Sequence, residues 1–294
     1  MSIPAFLSLA GRTAIVSGSS SGFGRSIALR LGRLGCTVIC ADRQPQPNSS
    51  AVNPSNTHEL IVRNGGQGFY YPLDVTELEG YRGAVKLALE QSASGRLDIM
   101  VNNAGVGGHA PDSANLGIHT EAEHFAKRVV DVNLMGVWNG TKVAVEQMLE
   151  QEPEPFPADL DANVDLGDVQ DASALGGERG SRGTIINVAS LHGMVAGPWE
   201  PAYSASKAAV INLSRTVAAD YAPHRINCNS LSPGYSAADM NGKPLPLELR
   251  TRRVTPWPHQ GAGRDIANGV IYLARDAPWV TGSNLVIDGG TTCI

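Results

Sequence analysis

No stretch of this chain approaches the roughly 20 consecutive apolar residues that would cross a membrane. The amino terminus, MSIPAFLSLAGR, has neither a basic opening nor a long apolar centre, so it does not read as a secretory leader. Basic clusters are missing too. With 23 Lys and Arg against 28 Asp and Glu the formal net charge is -5, which leaves no electrostatic footprint for nucleic acid or for an anionic membrane surface. Cysteine is scarce. Cys36, Cys40, Cys228 and Cys293 lie in or beside apolar strand-like runs without metal-ligand spacing, and all four are expected as buried free thiols. There are no internal repeats. These absences lead to a soluble, cytoplasmic protein whose partner is a small molecule, with no nucleic acid, no membrane and no metal site.

What is present is an alternation. The 294 residues, 42% of them hydrophobic, suffice for a substantial core. TAIVS, TVICAD, GFYYPLD, LDIMVNNAG, GTIINVAS, INCNSLSPG and NLVIDGG read as seven strands. Helices are expected at 22–34, in a short piece ending near 64, at 119 to about 150, at 202–222 and at 265–274. That order predicts an α/β fold: one doubly wound Rossmann domain over residues 1–294, with a mostly parallel seven-stranded sheet and helices on both faces. Two stretches interrupt it. RQPQPNSSAVNPSNTH, after Asp42, is rich in Pro, Ser and Asn and is expected as a surface loop. Residues 151–182 are acidic, poor in large apolar side chains and without a clean period, and are expected as a surface insertion.

The stretch SGSSSGFG follows the first strand and opens the first helix. A helix start presents unpaired backbone N–H groups where the peptide dipoles favour negative charge, so a phosphate can be held there. Gly18 suits a positive φ in the turn, Gly22 lets a pyrophosphate approach the backbone, and Gly24 allows close packing of helix on strand. Ser20 and Ser21 add hydroxyl donors, and Phe23 lies within the turn. No Lys-Ser or Lys-Thr follows, which excludes a Walker-type cradle. A close-packed turn without a ligand would also need these glycines. Asp42, about 20 residues on at the end of the second strand, is placed to accept from the adenosine ribose hydroxyls, or is an ordinary strand-end turn residue. Its carboxylate favours NAD by repelling a 2'-phosphate, while Arg43 keeps NADP open because its guanidinium could pair with that phosphate.

In PAYSASKAAV, Tyr203 and Lys207 lie four apart on one helix face. A phenol of pKa about 10 is a poor base near neutrality. A neighbouring ammonium stabilises the phenolate and makes it usable. Ser190 ends the fifth strand, where its hydroxyl would reach the same mouth of the sheet. Asn133, polar among the apolar residues of VDVNLMG, needs either a buried partner or a functional one.

Taken in order, SGSSSGFG, NNAG, VNLMG, VAS, YSASK, SPG and TGSNLVIDGG resemble the short-chain dehydrogenase/reductase family over nearly the whole chain. The resemblance implies a catalytic tetrad of Asn133, Ser190, Tyr203 and Lys207. Ser would polarise the substrate oxygen, Tyr exchange its proton, Lys hold the nicotinamide ribose and lower the Tyr pKa, and Asn anchor a water. It also implies cofactor contacts at Ser17 in the glycine motif and at Asp74 and Val75 beside the adenine. Further contacts are implied at Asn102, Asn103, Ala104 and Gly105 along the cofactor, and at Pro233, Gly234 and Ser236 near the carboxamide. Ser17 stands where the family usually has Thr, and Ala238 where it commonly has a Thr that clamps the carboxamide. The family's pocket falls on His192, Met194, Trp199, Tyr235 and Trp257, with His109 as a further candidate. Their aromatic and thioether groups suit a ring-containing substrate. The expected reaction is hydride transfer between NAD(P) and a secondary alcohol or ketone, by a homodimer or homotetramer. NAD-linked alcohol oxidation is favoured; an NADP-dependent ketoreductase and a non-redox protein on the same fold are the alternatives.

Overall fold

The computed structural model describes residues 8–48, 53–107, 117–155, 180–236 and 255–293. All seven strands form: β1 (Thr13–Ser17), β2 (Thr37–Asp42), β3 (Gln67–Pro72), β4 (Ile99–Asn102), β5 (Gly183–Val188), β6 (Ile226–Pro233) and β7 (Asn284–Ile287). They lie in the order β3-β2-β1-β4-β5-β6-β7, and every neighbouring pair is parallel. Successive side chains go to opposite faces. Ala14 and Val16 enter one core layer and Ile15 the other; Val38 and Cys40 separate in the same way from Ile39, and Ile99 and Val101 from Met100. Strands buried on both faces need unbroken apolar runs, which is why these segments carry no polar alternation.

The helices are α1 (Gly22–Arg33), α2 (Thr57–Arg63), α3 (Leu78–Gln91), α4 (Glu123–Val130), α5 (Gly136–Leu149), α6 (Pro201–Tyr221) and α7 (Gly263–Ile271). Ile27 and Leu31 of α1, Ile61 of α2 and Ile266 and Val270 of α7 fill one layer. Tyr81 and Val85 of α3, Val143 and Met148 of α5 and Val217 of α6 fill the other. Helix α3 was not expected, although Tyr81, Ala84, Val85 and Ala88 are buried at helical spacing. The long helix expected from 119 starts at Glu123 and is interrupted by a π-helical turn, Asp131–Met135. That turn carries Asn133 inward, to 0% exposure. No helix among the described residues is long and apolar enough to cross a membrane.

The crossovers from β1 and β2 run on one face and those from β3, β4 and β5 on the other, so β1 and β4 are neighbours whose chains leave in opposite directions. A crevice opens at such a switch point, beyond the carboxyl ends of the strands. At the opposite edge Asp98 collects cations: Oδ1 accepts from Arg12 at 2.9 Å and Arg96 at 3.4 Å, and Oδ2 from the Thr13 amide at 2.9 Å. Glu154 joins through Arg12 and Arg96 and pairs by backbone with Ser181, just ahead of β5. The flanks of the expected insertion therefore meet on the edge away from the crevice; residues 156–179 lie outside the described residues, as do 49–52. Cys36, Cys40 and Cys228 are buried free thiols, whereas Cys293 is exposed, a correction to the expectation. It sits in a short carboxyl-terminal turn, Thr291–Cys293, and its thiol donates to the Gly290 carbonyl.

Asp98→Ala should leave two largely buried guanidinium groups without their shared carboxylate. We expect a loss of about 3 kcal/mol in urea unfolding; an unchanged midpoint would remove this cluster from the account of stability.

Candidate active site

The turn after β1 is held from behind. Ser17 is 1% exposed, and its hydroxyl accepts from the amides of Asn103 (3.0 Å) and Ala104 (3.2 Å), while the Asn103 side chain donates to the carbonyls of Ser17 and Gly18. Ser17 thus supports the turn and does not face the crevice, a correction to its expected cofactor contact. Gly18 has φ 67°, and a Cβ there would fall 2.8 Å from the Ala104 backbone; one on Gly24 would fall 2.1 Å from the Gly18 carbonyl. A Cβ on Gly22 would meet nothing within 4 Å.

The serine hydroxyls are engaged within the chain. Ser19 donates to the Ala41 carbonyl, Ser20 donates to the Gln44 carbonyl at 2.6 Å, and Ser21 accepts from the Asn48 amide at 2.8 Å. The Ser19 and Ser20 protons are thus used within the chain, whereas Ser21, bonded as an acceptor, keeps its O–H to donate beside the backbone of the turn. Helix α1 has no acidic residue in its first turn, and Ser21 does not cap it. Open space over Gly22 and an uncapped helix start suit a pyrophosphate.

Asp42 ends β2, its two oxygens accepting from the amides of Ser20 (3.0 Å) and Arg43 (2.8 Å). Asp74 accepts from the amide and hydroxyl of Thr76, and these bonds hold its carboxyl below the usual range, with the Arg43 charge adding to them. Val75 is 8% exposed; its carbonyl accepts from Asn139. Asn102 faces the core instead of the crevice: it donates to Thr141 and Asn187 and accepts from Tyr81. On the other side Pro233 ends β6, the Gly234 amide donates to Ile287, and Ser236 makes an isolated bridge with Gly261.

The four tetrad positions converge from different elements. Asn133 of the π-helical turn is bound both ways to the backbone of Val106, accepting from its amide at 2.8 Å and donating to its carbonyl at 3.0 Å. Ser206 lies 3.5 Å from the Asn133 amide and donates to the Tyr203 carbonyl. Ser190 accepts from the His192 amide and stands near enough to Tyr203 to lower its phenol pKa. Lys207, 2% exposed, donates to the Val188 carbonyl at 2.8 Å and stands 5.8 Å from the centre of the Tyr203 ring.

Of the expected pocket residues, His192 and Tyr235 join this group. The His192 ring meets Tyr203 at 6.3 Å and Tyr235 at 5.8 Å, both in T-shaped contact. Trp199 has a positive φ of 66° and lies over Gly117. Met194 is placed against Asn284 of β7, and Trp257 against His259 and the Gly289 carbonyl, so neither joins the tetrad cluster. His109 and Ala238 lie outside the described residues. Glu200 escaped the sequence reading: it takes the His192 Nδ1 at 2.8 Å. An acid eight residues after His192, directly ahead of the proline that starts α6, was the available signal.

Residues 12–153 match the model of the family described as short chain dehydrogenase, and residues 169–292 that described as enoyl-(acyl carrier protein) reductase. The chain is 30% identical to glucose 1-dehydrogenase 2 of Bacillus subtilis over 97% of this chain and 96% of the relative. The chain belongs to the short-chain dehydrogenase/reductase family. It is also 31% identical to a 3-oxoacyl-(acyl-carrier-protein) reductase of Staphylococcus aureus, over 95% of this chain and 97% of the relative. A crystal structure described as a putative short-chain dehydrogenase/reductase from Burkholderia xenovorans superposes with a TM-score of 0.75 at 29% identity, covering 97% and 98% of the two chains. As a short-chain dehydrogenase/reductase, the protein is an oxidoreductase acting on alcohol and ketone groups.

Family members work with a nicotinamide dinucleotide, and the backbone of the glycine turn fits its pyrophosphate. The electrostatics of the proton-transfer group differ from the simple sequence picture. Burial pushes the Tyr203 phenol up to about 12; its Ser190 hydrogen bond works the other way, and the Glu200 charge adds to the rise. The Lys207 ammonium, 5.8 Å from the ring centre, is bonded to the Val188 carbonyl. Burial brings the Lys207 ammonium down to about 8.

A lysine with a lowered folded pKa binds fewer protons folded than unfolded between about 8 and its model value of 10.5. Stability therefore rises with pH across that interval, the penalty being fully present below it and absent above it. The stability of the wild type relative to Lys207→Met should increase by about 2 kcal/mol from pH 8 to 10 in urea titrations. A pH-independent difference would mean that the ammonium is not desolvated.

Proposed function

We propose that the protein is an NAD-linked dehydrogenase that oxidises a secondary alcohol on a small ring-containing substrate. The observation that carries this is the convergence of Ser190, Tyr203 and Lys207, from β5 and α6, on the edge of the sheet where the glycine turn opens. Ser190 positions the substrate oxygen and Tyr203 takes its proton. Lys207, freed from the Val188 carbonyl or sharing with it, binds the nicotinamide ribose and offsets the burial that keeps Tyr203 protonated. Asn133 fixes the Val106 backbone beside them and anchors the water that carries the proton onward. When bound, the nicotinamide supplies the hydride acceptor.

Gly18, Gly22, Phe23 and Gly24 hold the pyrophosphate, Asp42 and Arg43 the adenosine ribose, Asp74 and Val75 the adenine. Asn103, Ala104 and Gly105 line its path, and Pro233, Gly234 and Ser236 the carboxamide. Both Asp42 oxygens already face backbone donors, a geometry that also suits ribose hydroxyls and disfavours a 2'-phosphate. Arg43, close enough to Asp74 to lower its carboxyl, favours a second reading as an NADP-dependent ketoreductase. The relatives carry both directions in their names, a dehydrogenase and a reductase. Self-association into a dimer or tetramer in the cytoplasm completes the proposal; exposed Met135 and Trp138 on the π turn and α5 support it.

NADH formation with a panel of cyclic and aryl secondary alcohols tests the assignment. Tyr203→Phe should lower kcat/KM by about 100-fold or more, and equal turnover by both proteins would end it. Asp42→Ala should reduce the preference for NAD over NADP about tenfold. A native preference for NADP that vanishes only on changing Arg43 would support the ketoreductase instead.

A further inference from the structure

The wall beside Tyr203 is a connected polar chain. Glu200 Oε2 lies 2.8 Å from His192 Nδ1, and His192 Nε2 lies 3.2 Å from the Tyr235 hydroxyl. The pair is well shielded, with side-chain exposures of 14% for His192 and 16% for Glu200. Its placement has a backbone cost. Trp199, immediately before Glu200, is held at φ 66°, a left-handed conformation in which a bulky residue is strained. Gly197 runs so close over the ring that a Cβ there would fall 2.6 Å from His192 Nδ1. Such strain persists where the surroundings over-determine it, and here it brings a carboxylate onto the imidazole.

The donor and acceptor roles follow in sequence. A carboxylate can only accept, so His192 Nδ1 carries the proton. In the neutral imidazole Nε2 is then an acceptor, and the Tyr235 O–H must donate to it. Tyr235 has a single proton. Once that is given to His192, its oxygen has only lone pairs left to present. Burial and the Glu200 charge both push the Tyr235 phenol up, which keeps the proton in place for this bond. Ser190 accepts from the His192 amide and the His192 ring packs edge-on to Tyr203, so the reacting oxygen and the Tyr235 oxygen are read from one short stretch of chain.

We infer that Glu200 and His192 set Tyr235 as a hydrogen-bond acceptor in the substrate pocket, so that the preferred substrate is a neutral alcohol bearing a second hydroxyl near the reacting carbinol. Glu200 and His192 act through Tyr235 and are positioning residues. The negative charge of Glu200 disfavours a carboxylate or phosphate at the same place. This inference rests on Tyr203 being the group that exchanges the reacting proton.

The test compares cyclohexanol with 1,2- and 1,3-cyclohexanediol at about pH 9. With wild type, kcat/KM for the better diol should exceed that for cyclohexanol roughly tenfold, the value of one hydrogen bond. Most of the difference should lie in KM. In Tyr235→Phe and in Glu200→Gln the diol-to-cyclohexanol ratio should fall to within about threefold. A purely structural role would lower both alcohols in proportion and keep the ratio, and that result, or a wild type without preference, overturns the inference.

Histidine-15N-labelled protein with NADH gives a readout independent of turnover, the His192 signals being assigned by their loss in His192→Gln. Nδ1 should be protonated and Nε2 not; the opposite tautomer overturns the inference. If no alcohol is oxidised, the dehydrogenase reading fails, and the pocket is judged by this spectrum alone. Diol must then shift His192 Nε2 where cyclohexanol does not, with the shift lost in Tyr235→Phe; equal effects of the two alcohols would overturn it.

Discussion

A lysine ammonium sits in the interior of this protein on a single described partner. Lys207 has three donors and is 2% exposed, and its hydrogen bond runs to the Val188 carbonyl at the end of β5. An isolated buried charge is among the costliest things a fold can contain, and the usual relief is a lowered pKa. Lys207 shows it, with burial bringing the group down to about 8. A chain selected for stability alone would place an apolar residue here. The cost becomes intelligible only if the ammonium acquires further oxygen partners when the protein works, which the ribose of a nicotinamide dinucleotide provides. Ser190 two residues from Val188 and Tyr203 one turn before Lys207 are then located by the same short segment of strand and helix.

The sheet makes that arrangement possible. Parallel strands all end on one edge, and the reversal of winding between β1 and β4 leaves a crevice there. Each segment leaving the edge is fixed by its neighbours: Ser17 binds the chain after β4, Asn133 binds Val106, and Lys207 binds the end of β5. The Asp98 cluster and the flanks of the insertion occupy the other edge. Additional chain after α5 can therefore be accommodated at the end of the sheet that does no chemistry.

Much of this was legible in the sequence, for identifiable reasons. Strands buried on both faces need largely continuous apolar runs, and β1, β2 and β4 stood out for that reason, as did the glycines that a sharp strand-to-helix turn requires. Helix α3 was passed over because its apolar residues are small or interleaved with charge, although their spacing is helical. The π-helical turn at Asn133 has no composition signal, since it adds one residue to a turn without a proline or glycine to mark it. The Ser20 hydroxyl was misplaced because residue type cannot say whether a hydroxyl faces a ligand or a neighbouring loop; only the folded position of Gln44 settles that. Glu200 was missed for a related reason. Its partner lies eight residues back, across a loop whose reversal depends on a strained tryptophan that no helix or strand pattern predicts.

Two charges of opposite sign act on one phenol, and their balance decides what kind of base Tyr203 can be. Glu200 opposes the phenolate and Lys207 favours it, while burial, the largest effect, opposes it. In this structure the opposing side prevails, because the ammonium is turned to the Val188 carbonyl and is itself driven toward neutrality. A positively charged nicotinamide and a ribose that draws Lys207 forward would add to the favouring side alone. The phenol would then be a usable base only with an oxidised cofactor in place. The Glu200 charge adds to burial in keeping the proton on the Tyr203 phenol, separately from the hydrogen bond that Glu200 makes to His192.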